Sequence, residues 1–268
     1  MKPLSIYLSQ RNDLTLLQRF AFTGVTDVFN QHISNLASMA EEEPWSIEYE
    51  NDILKAYINK TFEKCYQQND VAISDDEQFS YFDTGLLSLN FEKIFCLFIK
   101  NNQENPFWKL KGFYVESDHL IMANFPNKPN KADYFSNPQD YFFNPKVKII
   151  PNTIHFFDEE ENVYDRFPDK IKELPKEDFV ALIKGKIDIL ISRIERNPRI
   201  AIPLYYKDEF SFACPIKILD FELALIIGKY DANNYRVNTI FPLDITYKKA
   251  RMLMRPEANW LKYSKKTQ

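Results

Sequence analysis

Glycine is scarce. The chain has five in 268 residues, Gly24, Gly85, Gly112, Gly185 and Gly228, and the closest pair is 27 positions apart. Phosphate-binding loops, dinucleotide fingerprints, kinase glycine loops and serine nucleophile elbows all use closely spaced glycines for tight turns and close backbone approach, so none of them is expected. Cysteine is scarce too. Cys65, Cys96 and Cys214 are odd in number, far apart and set among apolar neighbours, as in Ile94-Phe95-Cys96-Leu97-Phe98. They read as reduced core residues of a cytoplasmic protein, not as a disulfide framework, a metal set or a nucleophile. The three histidines, His32, His119 and His155, have no second His or Cys at ligand spacing, so no dedicated metal site is expected. The run Asp158-Glu159-Glu160-Glu161 reads as a solvated acidic loop, because adjacent carboxylates seldom converge on one ion. No resident cofactor is expected, and any Mg²⁺ would arrive with a bound nucleotide. Long apolar runs are also missing: the start, Met1-Lys2-Pro3-Leu4-Ser5, has no apolar segment, so neither export nor a membrane partner is expected.

Aromatic residues are abundant, 23 Phe, 15 Tyr and 3 Trp, and 45% of the chain is hydrophobic, which is the composition of a folded globule. Apolar positions spaced by three and four predict helix from Asp13 to about Ala40, flawed around Thr23-Gly24 so that it is either two helices or one bent one. A further helix is predicted from Asn51 to about Gln68. Short aromatic and aliphatic runs at Phe79 to Phe82, Lys93 to Lys100 and Trp108 to Val115 predict strands. Residues 124–145 hold four prolines and many asparagines, but Tyr134, Phe135, Tyr141, Phe142 and Phe143 suggest a loop packed onto the body. Phe179, Ile183, Ile187, Leu190 and Ile194 mark one face of a helix from Lys176 to Asn197, opened by Pro175 and closed by Pro198. Four strand-like runs from Ile200 to Phe241 with short breaks predict an antiparallel meander, and Asp244 to Met254 a last helix. The expectation is an α+β fold, an antiparallel sheet with helices packed on one side and a helical N-terminal region. In domain terms this is a helical arm over 1–50, one domain over 51–263 and a tail over 264–268, with no internal repeat visible.

Net charge is −4, so attraction to nucleic acid must come from local patches. From Thr246 to Gln268 there are seven basic residues against Glu257 alone. Lys186 and Arg193 are seven positions apart on the Lys176 helix and share a face. Basic groups interleaved with Tyr206, Tyr247, Trp260 and Tyr263 are the components of a single-strand surface, where guanidinium groups hold phosphates and rings stack on bases; the alternative is a solvated basic face. Tyr247 and Arg251, four apart on one helix, either converge inward as a phosphate clamp or form an ordinary surface contact. His155, eleven positions before Arg166, suits acid/base work or binding at a phosphate ester, or else is a histidine hydrogen-bonded in the domain wall. By contrast, Glu41 to Asp52 carries six acids and no base.

Tyr81-Phe82-Asp83-Thr84-Gly85-Leu86, Arg166-Phe167-Pro168, Ile202-Pro203-Leu204-Tyr205-Tyr206, Phe221 to Leu225, Thr239 to Leu243 and Tyr247-Lys248-Lys249-Ala250-Arg251 occur in the order of the motifs of one family. The chain resembles domain of unknown function 3825 from about Leu36 through Lys262. Family members usually carry Asn where this chain has Asp83 and Gln where it has Leu204, which weakens any role needing an amide at either place. The resemblance implies an association with RNA, since members look like parts of larger proteins with RNA-associated modules. The expected function is RNA or nucleotide binding through Arg166, Arg193, Arg251, Tyr206 and Tyr247, with His155 as the acid/base if a phosphate linkage is processed. Arg251→Ala is expected to weaken binding with little change in melting. The alternative is a non-catalytic module that docks a protein partner in a stress or phage-response setting.

Overall fold

The structure, a computed structural model, describes every residue except 1–2, 104, 136, 138–140, 153–155, 157–166, 208 and 262–268. His155 and Arg166 lie outside the described residues. The chain divides into two compact units, Met1–Tyr134 and Phe135–Gln268. The boundary falls inside the proline-rich stretch, whose aromatics serve both units. Tyr134 donates its hydroxyl to Thr61 in the first. Phe143 stacks on Tyr235 in the second, with ring centroids 4.5 Å apart.

In the first unit, α1 (Leu16–Phe20) opens with a capping box in which Thr15 and Gln18 satisfy each other's backbone N–H. It runs into β1 (Ala21–Phe22) and then α2 (Thr26–Met39). The flaw read at Thr23-Gly24 is this break: Gly24 has φ +89°, and a Cβ there would lie 2.7 Å from Val28 Cγ1. After α3 (Asp52–Gln68) come β2 (Ala72–Ile73), β3 (Phe79–Leu87), β4 (Lys93–Lys100), β5 (Trp108–Val115) and α4 (His119–Asn124). The sheet order is β1-β5-β4-β3-β2, with β1 parallel to β5 and the remaining pairs antiparallel. Residues 1–50, read from the sequence as an arm, contribute Leu17, Phe20, Ile33 and Leu36 to the core, none more than 1% exposed. Phe20 lies 5.1 Å from Phe62 of α3 and 5.5 Å from Phe98 of β4.

The second unit contains β6 (Lys148–Ile150), α5 (Asp169–Lys172), α6 (Lys176–Arg196), β7 (Ile202–Tyr206), β8 (Glu209–Ile218), β9 (Phe221–Lys229), β10 (Asn234–Pro242) and α7 (Leu243–Arg251). Its order is β6-β10-β9-β8-β7, again with a parallel edge pair, β6 on β10, and an antiparallel remainder. The face predicted for α6 is the buried one, Phe179, Ile183, Ile187, Leu190 and Ile194, packed against Phe212, Cys214, Leu225 and Ile227.

The α+β class is as expected, and three details differ. There are two five-stranded sheets, not one, and each has a parallel edge strand too short to carry a strand signature. Helices also cover both faces of each sheet. In the first unit Phe62 of α3 packs on Phe82 and Phe98, whereas Ile121 of α4 packs on Tyr81, Phe95 and Leu97. In the second, α6 covers one face, and α7, which contributes nothing to that core, packs on β7, β9 and β10 from the other. The physical reason is visible in β4 and β9, whose interiors are buried without alternation, as strands covered on both faces must be. The third difference is a repeat. Among the described residues, with α1 and the short 3-10 turns left aside, the chain runs strand, two helices, four-stranded meander, helix from β1 and again from β6, and both sheets place the first strand parallel beside the last.

Candidate nucleic-acid interface

Charge is divided unevenly between the units: residues 1–134 hold 12 Lys and Arg against 19 Asp and Glu, and residues 135–268 hold 22 against 19. The second unit is the cationic one, at +3 against −7.

Within it the site is built by β7, β10 and α7. Pro242 fixes the turn from β10 into α7, and Thr246 donates its hydroxyl back to the Pro242 carbonyl at 2.8 Å. The helix turns Thr246, Tyr247, Ala250 and Arg251 inward. The sheet face beneath carries small side chains, Ala213 opposite Ile226 and Ala224 opposite Phe241, which lets the helix lie close. Ser211 and Thr239 lie on this same face, and among the described residues their buried hydroxyl oxygens have no hydrogen-bond partner. Ser211 stands opposite Gly228, where a Cβ would overlap the side-chain amide of Asn238.

At the end of β7 the half-buried Tyr206 ring meets Phe241 edge-on at 5.7 Å. Lys207 places its Nζ 5.5 Å from the Tyr206 centroid and Lys249 places its own 6.0 Å away; Lys249 is also 5.5 Å from the Phe241 ring. The exposed Lys207 has φ +52°, a left-handed turn position after the strand. Two ammonium groups over one accessible aromatic ring can hold phosphate oxygens while the ring offers a face to a base.

Four of the expected site residues are described. Tyr206, Tyr247 and Arg251 come together at β7 and α7. Tyr247 and Arg251 are each only 4% exposed, so of the two alternatives they take the inward one, at the seam between helix and sheet, and neither offers a solvent-facing surface on which a base could stack. A burial of that depth also overturns the expectation that Arg251→Ala leaves melting unchanged. Arg193 lies elsewhere, exposed in the last turn of α6, on a cleft of about 390 Å³ with Trp260 and Leu243. Sequence reasoning missed Phe241 as the edge partner of Tyr206, and Lys207, whose role depends on a turn conformation. It also missed the two buried hydroxyls, which no periodicity distinguishes from ordinary strand residues.

The three cysteines are free and buried. Burial, with the charges of Asp70 and Asp83, pushes the Cys65 thiol up to about 12, and burial alone raises Cys96 and Cys214, the opposite of what a nucleophile needs. Among the described residues no group of three His, Cys, Asp or Glu side chains could hold a metal ion, and no helix is long and apolar enough to cross a membrane.

No curated protein and no solved structure matches the chain. Residues 36–260 match the family model described as Domain of unknown function (DUF3825), a span that includes both sheets except β1, and the chain belongs to that family.

Proposed function

We propose that the protein binds single-stranded RNA or a nucleotide through the corner where β7 meets α7. The observation that carries this reading is the Tyr206 ring, half-buried, edge-on to Phe241 and flanked by the Lys207 and Lys249 ammonium groups. Tyr206 stacks on a base, and the two lysines take the adjoining phosphates. Arg251 and Tyr247 hold the helix that carries Lys249, and so act as positioning residues. The cationic balance of the second unit points the same way. If a phosphate linkage is processed, His155 is the acid/base and Arg166 holds a phosphate. The test is binding of labelled single-stranded RNA to Tyr206→Ala and to the double variant Lys207→Ala/Lys249→Ala. Stacking on an aromatic side chain contributes about 1–3 kcal/mol per base, so Tyr206→Ala is expected to lose roughly five- to hundredfold in affinity. Unchanged affinity in both variants would remove this corner from the reading.

A second reading, a non-catalytic module that docks a protein, is favoured by one feature of the first unit. The β3–β4 turn exposes Leu87 by 39%, Leu89 by 63% and Phe91 by 74%. The acidic run from Glu41 is held beside it, since Glu41 N–H donates to the Leu87 carbonyl. Under this reading the partner offers an apolar pocket with a basic rim, RNA titrations show no salt-sensitive binding, and His155→Ala changes nothing.

A further inference from the structure

The cleft that holds Arg193 is separate from the Tyr206 corner and has its own chemistry. One wall is Trp260, whose indole Nε1–H donates to the Ile200 carbonyl at 2.9 Å. The ring edge is thereby occupied and its plane is set, while the residue remains half-buried beside the cleft. Arg193 reaches the cleft from α6 and Lys217 from β8; Glu222 of β9 stands directly opposite Lys217, and Asn259 precedes the tryptophan. Among the described residues the side chains of Arg193, Lys217, Glu222 and Asn259 have no hydrogen-bonding or ionic partner, and all four are exposed. The volume, about 390 Å³, lies in the range that small ligands fill.

We infer that this cleft binds a single nucleotide, a nucleoside monophosphate or the equivalent terminal nucleotide of a strand, with its base on Trp260, its phosphate at Arg193 and Lys217, and its hydroxyl or amino donors at Glu222 and Asn259. The assignment follows from what each group demands. A carboxylate accepts hydrogen bonds and repels anions, so an inorganic anion alone leaves Glu222 opposed. An apolar ligand would strip water from Arg193 and Lys217 without replacing it. A flat ring carrying hydroxyls and one phosphate satisfies indole, carboxylate, amide and both cations together. The site shares only nucleotide chemistry with the proposed function and depends on different residues.

Tryptophan emission tests it, because Trp45 and Trp108 are only 6% and 0% exposed and Trp260 is the accessible indole. The full chain is titrated with AMP, GMP, CMP and UMP, with inorganic phosphate as control and calorimetry in parallel. The expected result is saturable quenching by at least one monophosphate and none by phosphate. Arg193→Ala and Lys217→Ala, both surface changes, should each weaken that affinity at least fivefold, and Trp260→Phe should abolish the emission change. Tyr206→Ala should leave monophosphate affinity unchanged while lowering RNA affinity, so failure at one site is distinguishable from failure at the other. Absence of both quenching and heat at millimolar monophosphate, or equal affinity in the Arg193 and Lys217 variants, would overturn the assignment.

Discussion

Arg251 is a guanidinium at 4% exposure on the inner side of a helix, so its contribution is to the fold before it is to any ligand. Arg251→Ala removes a buried stem and its polar contacts together. The expected loss is about 2 kcal/mol or more, roughly 4–8 °C in melting temperature for a chain of this size. A thermal melt indistinguishable from that of the natural chain would show the side chain to be dispensable there. Ser211 has the opposite expectation. Its hydroxyl is buried and has no partner among the described residues, so Ser211→Ala should raise stability by about 1 kcal/mol, whereas a loss would show that the hydroxyl has a partner, such as a buried water. Asp83 adds a pH dependence. It is 3% exposed; burial raises its pKa, although the Gly85 N–H, accepted at 2.8 Å, and the charges of Lys93 and Lys131 pull the other way. A carboxyl with a raised folded pKa binds its proton more tightly folded than unfolded, so its charge costs stability above the unfolded pKa, and that cost fades as pH falls below it. Asp83→Asn keeps an oxygen for Gly85 and should raise the melting temperature at pH 7, with the gain shrinking toward pH 4. A gain that does not change with pH would contradict this account.

At the scale of elements, α7 joins the fold to the proposed surface. Its inner positions hold the sheet, and Lys249, on the same helix, projects past Tyr206. Each phosphate contact to a single strand adds about 0.7 to the slope of log affinity against log salt, so Lys249→Ala should flatten that slope by about 0.7. An unchanged slope would place Lys249 outside the RNA contact. The elements also show what the sequence made legible. The inner faces of α3 and α6 were readable because a period of 3.6 leaves its mark on Ile53, Tyr57 and Phe62 and on Phe179, Ile183 and Ile187. The meander of the second unit was readable because short breaks can join only antiparallel neighbours. The parallel strands β1 and β6, of two and three residues, have no pattern of their own and exist only because β5 and β10 present open edges. The second helical layer was hidden for a different reason. The unbroken run Ile94 to Phe98 signals burial on both faces, but does not say what covers them. For the site, the interleaving of basic and aromatic residues put Tyr206, Tyr247 and Arg251 in one expected surface, together with Arg193, which lies elsewhere. Which of them faces solvent depends on how α7 is rotated on the sheet, and four-residue spacing alone leaves that open.

At the scale of the whole molecule, two units share one order of strands and helices but carry opposite charge. The repeat escaped the sequence because the common feature is connectivity, and different side chains satisfy it: an aromatic core of Phe20, Phe62, Phe82 and Phe98 in one unit, an aliphatic core around Ile183, Ile187 and Leu225 in the other. The core around α6 is drawn entirely from the second unit. Residues 135–268 expressed alone should therefore unfold cooperatively with denaturant and retain RNA affinity, whereas a non-cooperative transition would show that they need the first unit. The central claim is that the cationic unit binds a nucleic-acid strand. It is tested most directly by titrating the full chain with end-labelled single-stranded RNA at two salt concentrations, with and without Mg²⁺, and reading bound fraction and RNA integrity from the same samples. The account predicts binding that weakens steeply with salt, and cleavage in those samples would make the protein a processing enzyme, with His155→Ala the next variant to assay. Absence of binding at low salt would contradict it.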